Sequence, residues 1–203
     1  MKTFQPETIT QGLKVGILMN MDALIIIDIQ NEYFKGGKRE LFQPEAAADN
    51  AKRLLDHFRE KNRPVFFIQH ISTQEGATAF LPGSNGADIH SSISPGTKEC
   101  VLVKHAPNSF YQTGLSERLM EMGIHHLVIC GMMSHMCIDT TVRAARDFGF
   151  TVTLIHDACT TMDLTWNSQV IPAQTVHNVF MAALSGSFAK VISTDEYLSG
   201  GGL

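Results

Sequence analysis

The sequence lacks the features that would point to nucleic acid, to a membrane or to a disulfide-stabilised fold. Sixteen basic against twenty acidic residues give a formal net charge of −4, so no overall positive field would attract a phosphate backbone. The longest apolar runs, such as Ala23–Ile27 and Leu127–Cys130, are far shorter than the ~20 residues of a membrane-spanning helix. The four cysteines show no close paired spacing, which argues against a disulfide framework. We therefore expect neither nucleic acid nor a membrane as a partner.

The amino-terminal residues 1–20 also lack the pattern of a secretory signal. Only Lys2 and Lys14 are positively charged, and no continuous apolar stretch precedes a cleavage site, so a cytoplasmic location is expected. Because Met21 directly precedes the first strong strand pattern, we interpret residues 1–20 as an extension, an expression-vector remnant or an upstream start. A chain of 203 residues is long enough for one sizeable core, and residues 21–203 are predicted to form a single domain.

Strand and helix patterns alternate along the rest of the chain. Short β-branched runs are typical of strands buried on both faces of a parallel sheet, and apolar residues spaced three or four apart are typical of surface helices. Strands are predicted over 23–28, 64–69, 100–104, 126–130, 151–156 and 190–192, and helices from 44 onwards and over 113–122, 137–148 and 171–184. Parallel neighbours need crossover helices. The predicted fold is therefore a three-layer α/β/α domain with a mostly parallel, six-stranded Rossmann-like sheet.

Chemically active side chains stand where three of these strands end. Asp28 ends the first strand, Lys104 ends the third, and Cys137 begins the helix after the fourth. Ligands of open parallel sheets bind at the carboxyl ends of the strands, so a carboxylate, an ammonium and a thiol are expected to converge there. A helix amino terminus and a nearby lysine both favour the thiolate, and we expect both to lower the pKa of Cys137. Asp28 would accept the thiol proton and return it to a leaving group, while Lys104 balances the buried charge.

Each of these residues also has an ordinary structural interpretation. A lone cysteine is more often a buried structural thiol than a nucleophile, an aspartate at a strand end can cap a turn, and a lysine there can simply face solvent. The tight segment Gly131–Cys137 is either only a turn or a source of backbone N–H groups for a developing oxyanion.

Three short motifs in order resemble the isochorismatase-like cysteine hydrolases, a family that includes nicotinamidases and carbamoylsarcosine amidases. The resemblance runs from about Asp22 to Tyr197. The motifs are Ile27-Asp28-Ile29-Gln30-Asn31 with Phe34; Val103-Lys104 followed by Ser109-Phe110 and Thr113-Gly114-Leu115; and Gly131 to Cys137 with Thr141 and Ala145, later followed by Asp157-Ala158. Each motif alone is weak, but their ordered combination is specific.

The resemblance implies a mechanism and residues to carry it. Asp28, Lys104 and Cys137 would be the catalytic triad, with Cys137 attacking a carbonyl carbon to form a thioester that water cleaves. The backbone N–H groups of Met133 and Cys137 would form the oxyanion hole, next to a cis peptide bond between Met132 and Met133. The family commonly forms homo-oligomers, so a dimer or tetramer is expected, with Trp166 and the helix over 171–184 as a plausible interface.

The sequence departs from the nicotinamidases at their metal site. Those relatives have an Asp-x-His segment after the second strand, whereas Gln69, His70, Ile71 and Ser72 stand here. His70 and His90 lie twenty residues apart without further ligands spaced for coordination. We therefore expect no metal and no other cofactor, and a substrate other than nicotinamide.

Five residues near the predicted strand ends are candidate substrate contacts: Gln30, Phe34, Phe110, His135 and Trp166. The aromatic residues among them are equally typical of core, His135 of a solvated turn, and Trp166 of a subunit interface. The leading hypothesis is a cysteine-dependent hydrolase that cleaves a C–N bond in a small amide, ureido or lactam-like substrate. The alternatives are a vinyl ether hydrolase of the isochorismatase type, in which Cys137 takes no part, and a catalytically silent binding or scaffold protein.

Overall fold

A computed structural model describes residues 22–201 of the chain; the predicted extension over residues 1–20 lies outside them. The described residues form a central sheet of six parallel strands: β1 (Asp22–Ile27), β2 (Val65–His70), β3 (Cys100–Lys104), β4 (His126–Met132), β5 (Thr151–Thr160) and β8 (Lys190–Ile192). The strand order is β3-β2-β1-β4-β5-β8. Among these residues no helix is both long enough and apolar enough to cross a membrane.

Helices cover both faces of the sheet because alternate residues of each strand point to opposite sides. On one face, α1 (Pro44–Glu60) packs on Leu24 and Ile26; on the other, α2 (Leu115–Glu121), α3 (Asp139–Asp147) and α4 (Ala173–Leu184) pack on Ile25 and Ile27. The short α5 (Thr194–Glu196) follows β8 and leads into a last helical turn, Tyr197–Gly201. The predicted three-layer α/β/α fold with its six-stranded sheet is confirmed.

Two differences from the predicted elements have local causes. The strand predicted to end at residue 156 continues to Thr160, because a shift in the pairing between β4 and β5 allows Cys159 to pair with Gly131. The polar stretch before α4 is a two-stranded hairpin of β6 (Leu164–Trp166) and β7 (Gln169–Ile171). Its two turn residues, Asn167 and Ser168, both have positive φ, as a tight hairpin turn requires.

The strand order places a crevice between β1 and β4. After β1 the chain crosses through α1 to β2 on one side, and after β4 it crosses through α3 to β5 on the other. Because the two connections leave in opposite directions, the carboxyl ends of β1 and β4 are left uncovered, which is where open parallel sheets bind ligands.

Candidate active site

The structure brings Asp28, Lys104 and Cys137 together at this crevice. Asp28 directly follows β1, and Cys137 lies in the turn that follows β4. Lys104 is the last residue of β3, two strands away, and its long side chain crosses to the other two. Its Nζ lies 2.7 Å from Asp28 Oδ2 and 3.1 Å from Cys137 Sγ, and it also donates to the carbonyl oxygen of Ala106 at 3.1 Å. The contacts with Cys137 and Ala106 are hydrogen bonds, whereas the contact with Asp28 is an ion pair.

Burial and the mutual interactions of the three groups together set their protonation states. The side chains of Asp28 and Lys104 are fully buried, so each charge depends on the other as its counterion. Burial alone would lower the pKa of Lys104, but the neighbouring Asp28 and Cys137 outweigh this effect and raise it. The pKa of the Cys137 thiol is raised to about 12: burial is the largest cause, the charge of Asp28 raises the pKa as well, and Lys104 opposes both. The expected lowering of this thiol pKa is therefore wrong, and the resting site holds a protonated thiol.

The segment that carries Cys137 is a compact turn. A π-helical turn, Ser134–Ile138, begins directly after Met133 and runs into α3, so this helical segment starts three residues earlier than predicted. The Met132–Met133 peptide bond is cis. Because the helical segment begins at Ser134, the N–H of Cys137 belongs to its first turn, where backbone N–H groups lack carbonyl partners from a preceding turn.

Two features hold this turn against the sheet. Gly131 has φ +129°, and a Cβ there would lie 2.0 Å from the Ile27 carbonyl oxygen, so only glycine permits this close approach. The buried Ser134 hydroxyl donates to the Thr160 carbonyl oxygen at 3.2 Å and lies 2.8 Å from His177 Nδ1. With its proton directed at Thr160, the hydroxyl accepts from His177, which identifies Nδ1 as the protonated ring nitrogen. Together these contacts link the turn to β1, β5 and α4.

A cavity of about 320 Å³ lies over Cys137. Its walls come from the segment after β1, the end of β2, the connection from 71 to 97, the segment after β3, and the turn itself. The residues that line it are Tyr33, Arg39, His70, Ser72, Gln74, Ala77, Thr78, Ala79, Phe80, His105, Pro107, Met133, Met136 and Cys137. The long connection from 71 to 97 therefore shapes the site, and among the wall residues only Met133 and Cys137 were predicted as site residues.

Gln30 and Phe34, two of the five predicted substrate contacts, do not line this cavity. Gln30 is fully buried, and its side-chain amide bonds the backbone of His70 and the carbonyl oxygen of Ala87. It ties the end of β1 to the end of β2, which is a structural role. Phe34 stacks on His90 and lines a separate cavity of about 470 Å³.

The other three predicted contacts also lie away from the cavity over Cys137. Phe110 is buried against Phe148 and Phe150 in the core. His135 precedes Cys137 by two residues, but its ring bonds the Thr161 hydroxyl. Trp166 stands on the hairpin with 71% of its surface exposed. A position near a strand end does not by itself predict a substrate contact, because residues adjacent in sequence can face either the cavity or the core.

Histidines near the site do not form a metal-binding group. Within residues 22–201, no three His, Cys, Asp or Glu side chains are grouped as metal ligands. His70 lines the cavity over Cys137, and burial lowers its pKa, as does the neighbouring Lys104. His90 lies over Phe34 and bonds the Ser92 hydroxyl at 2.9 Å.

Comparison with known proteins identifies the family. Residues 22–196 match the isochorismatase domain. A Bacillus subtilis protein described as an uncharacterized isochorismatase family protein is 50% identical over 176 residues, covering 87% of this chain and 98% of the relative. The streptothricin hydrolase of Streptomyces noursei is 30% identical over 178 residues, covering 87% of this chain and 60% of the relative.

A solved structure from Oleispira antarctica, provisionally named an isochorismatase hydrolase, has 45% sequence identity and a TM-score of 0.85. The match covers 90% of this chain and 98% of that structure. The predicted family and the prediction that the protein is an enzyme are confirmed: the chain belongs to the isochorismatase family of hydrolases.

Proposed function

We propose that the protein is a cysteine-dependent hydrolase that cleaves a C–N bond in a small amide, ureido or lactam-like substrate. One observation carries the proposal: a thiol forms part of the cavity wall, and its sulfur lies 3.1 Å from a buried ammonium that is itself paired with a carboxylate. A structural thiol has no need of two buried charges, which are costly to remove from water. An arrangement of nucleophile, proton acceptor and charge partner explains all three groups.

The first half of the reaction forms a thioester. As the sulfur of Cys137 attacks the substrate carbonyl carbon, its proton passes to Asp28. The oxygen of the resulting tetrahedral intermediate accepts hydrogen bonds from the N–H groups of Met133 and Cys137. Collapse of this intermediate breaks the C–N bond, and Asp28 returns the proton to the leaving nitrogen. Lys104 stays protonated throughout, in keeping with its raised pKa, and keeps the site from accumulating negative charge.

The second half regenerates the thiol. Water attacks the thioester carbonyl carbon while Asp28 removes one of its protons, and the same two N–H groups bind the oxyanion. Breaking the C–S bond releases the carboxylic acid, and the proton on Asp28 returns to sulfur. The net change is hydrolysis of one C–N bond by one water, with Asp28 alternating between base and acid as microscopic reversibility requires.

The cavity volume favours a small substrate. About 320 Å³ lies at the lower end of the roughly 300–1,000 Å³ range of small-molecule sites. A vinyl ether hydrolase would need no thiol, so the contact between Cys137 and Lys104 favours thiol chemistry over that alternative. The homo-oligomer that the family resemblance implies stays a prediction, which gel filtration would test.

The decisive experiment combines a Cys137→Ala variant with a library of small amides, ureides and lactams. We expect wild-type protein to release ammonia or an amine from at least one member, and hydroxylamine to trap the acyl group as a hydroxamate. Cys137→Ala should abolish both. Cys100→Ala is the matched control, because it removes a free thiol from β3 without touching the site. Turnover of the amide by Cys137→Ala would refute the proposal, and pyruvate release from a vinyl ether by that variant would support the alternative.

A further inference from the structure

The cavity over Cys137 has an unbalanced positive charge in its wall. Among the residues that line it, Arg39 is the one arginine or lysine, and none is an aspartate or glutamate. His70 is neutral there because burial and Lys104 lower its pKa. Beneath the cavity, the charges of Asp28 and Lys104 cancel each other. A substrate entering this space therefore meets the exposed guanidinium of Arg39 and no carboxylate among the lining residues.

Backbone contacts place Arg39 at this wall. Its N–H donates to the Glu32 carbonyl oxygen at 3.0 Å, and the N–H of Leu41 donates to the Tyr33 carbonyl oxygen at 3.0 Å. Gly37 makes this fold-back possible, since a Cβ there would lie 2.3 Å from the Glu32 carbonyl oxygen. The returning segment thus brings Arg39 next to Tyr33 at the same cavity.

Tyr33 supplies a neutral donor beside the guanidinium. Burial raises its pKa, and the neighbouring Cys137 and Asp28 raise it further, while Arg39 acts in the opposite direction. The phenol therefore stays protonated at neutral pH. Tyr33, Arg39 and Cys137 all line the same cavity.

The guanidinium has no ion-pair or side-chain hydrogen-bond partner within residues 22–201. Its neighbour Lys38 donates to the carbonyl oxygen of Thr78. Four other arginines are paired with carboxylates: Arg53 with Asp195, Arg59 with Glu99, Arg63 with Asp22 and Arg143 with Asp139. A guanidinium presents parallel N–H groups that match the two oxygens of a carboxylate. Arg39 is thus free to bind such a group on a ligand.

We propose that the substrate carries a carboxylate in addition to its scissile amide or ureido group, and that Arg39 binds this carboxylate beside the Tyr33 hydroxyl. The inference rests on the proposed function and narrows its substrate class to amidated or ureido carboxylic acids. Binding at Arg39 would hold the far end of the substrate and direct its carbonyl carbon to Cys137, which lowers the entropic cost of attack.

Isosteric substrate pairs test this specificity. Malonamate and succinamate carry the carboxylate, whereas malonamide and succinamide replace it with a neutral amide of the same shape. A charge-assisted hydrogen-bonded pair in this setting corresponds to about a tenfold preference. We expect kcat/KM, counted per amide group, to favour the acids by about tenfold in wild-type protein. In Arg39→Gln the ratio should approach one, and in Arg39→Lys it should be intermediate.

The control variant is Lys35→Gln. Lys35 is an exposed positive charge four residues before Arg39, and it lines the separate cavity of about 470 Å³ rather than the cavity over Cys137. It should leave the ratio unchanged, because the preference arises from a local contact rather than from general attraction. Equal turnover of acids and diamides by wild-type protein, or a ratio that Arg39→Gln does not change, would overturn the inference while leaving the proposed hydrolase function in place.

A binding measurement separates this inference from the proposed chemistry. Calorimetric titration of Cys137→Ala with succinamate and succinamide requires no turnover. Binding of succinamate about tenfold tighter, lost when Arg39→Gln is added, would support carboxylate recognition even if no amide were hydrolysed by wild-type protein. Equal or undetectable binding of both ligands would overturn this inference, whereas the proposed hydrolase function would be overturned only by absence of turnover across the whole library of amides, ureides and lactams.

Discussion

Asp28→Asn should raise the rate at which Cys137 is alkylated and lower the rate at which the enzyme hydrolyses its substrate. The amide has the shape of the carboxylate but neither its charge nor its ability to take the thiol proton. Because the charge of Asp28 is one of the causes that raise the thiol pKa, the variant should have a more acidic thiol that reacts faster with iodoacetamide. Because the proton acceptor is lost, hydrolysis should slow by about 100-fold or more.

The magnitude of the first effect follows from the contacts of Lys104. Distances of 3.1 Å from Nζ to Sγ and 2.7 Å from Nζ to Oδ2 keep the sulfur within about 6 Å of the carboxylate, where two unit charges interact by about 3 kcal/mol at an effective dielectric of about 20. Loss of this repulsion in Asp28→Asn should lower the thiol pKa from about 12 by about two units. The thiolate fraction then rises about 100-fold, and its weaker intrinsic nucleophilicity leaves a net gain of about tenfold in alkylation rate.

The assay measures alkylation at pH 8 by peptide mass mapping and ammonia release from an amide substrate. Breaking a buried ion pair costs about 3–5 kcal/mol, so both are run well below the thermal midpoint, and the fully buried Cys130 serves as an internal probe of unfolding. Asp22→Asn is the matched control, since Asp22 is paired with Arg63 at the opposite end of β1. Slower or unchanged alkylation in Asp28→Asn, or full retention of turnover, would refute the reasoning.

Three further variants test the turn that carries Cys137. Ser134→Ala should lower kcat about 5- to 30-fold with KM nearly unchanged, because it removes two hydrogen bonds of about 1 kcal/mol each that position the turn and leaves the other segments of the cavity wall in place; steady-state kinetics would show a rise in KM alone if this is wrong. Burial lowers the pKa of His177. Below about pH 6.5 the His177 imidazole is therefore protonated in the unfolded chain but not in the folded protein. Stability should therefore fall between pH 7 and 5, and His177→Asn should reduce the slope of the melting temperature against pH; an unchanged slope would contradict the assignment. Gly131→Ala should destabilise the fold by about 3 kcal/mol or more, since its Cβ would meet the carbonyl oxygen of Ile27 at 2.0 Å; a near-normal thermal melt would show that the strands can separate there.

The sheet and the three residues at its edge could be predicted because short-range patterns determine them. Apolar runs mark strands that are buried on both faces, and the alternation with helices makes these strands parallel. Once the strands are parallel, their carboxyl ends share one edge of the sheet. The convergence of Asp28, Lys104 and Cys137 at that edge then follows from their positions at the ends of strands. The pairing of Lys104 with both partners is consistent with that placement, since its side chain is long enough to cross a strand.

The cavity wall could not be predicted because it depends on how irregular segments fold back. Arg39 reaches the cavity only through the close approach of Gly37 to the backbone of Glu32, and nothing in the spacing of these residues signals that contact. Gln30 illustrates the reverse case. A polar residue just past a strand end resembles a ligand contact, but its amide satisfies backbone groups of two other segments, as buried polar groups must.

On the proposed mechanism, the pKa of the thiol also explains how the site remains inert without substrate. Oxidants and alkylating agents react with thiolates, and at neutral pH a pKa of about 12 leaves almost none of Cys137 in that form. The nucleophile is generated only when a carbonyl carbon is in place to accept the sulfur and the Met133 and Cys137 N–H groups can bind the oxygen. Proton transfer to Asp28 is then coupled to attack on a bound carbonyl rather than to bulk pH. The charge of Asp28 therefore suppresses the free thiolate at rest and serves as its base during reaction, which is why its removal should increase alkylation and decrease hydrolysis.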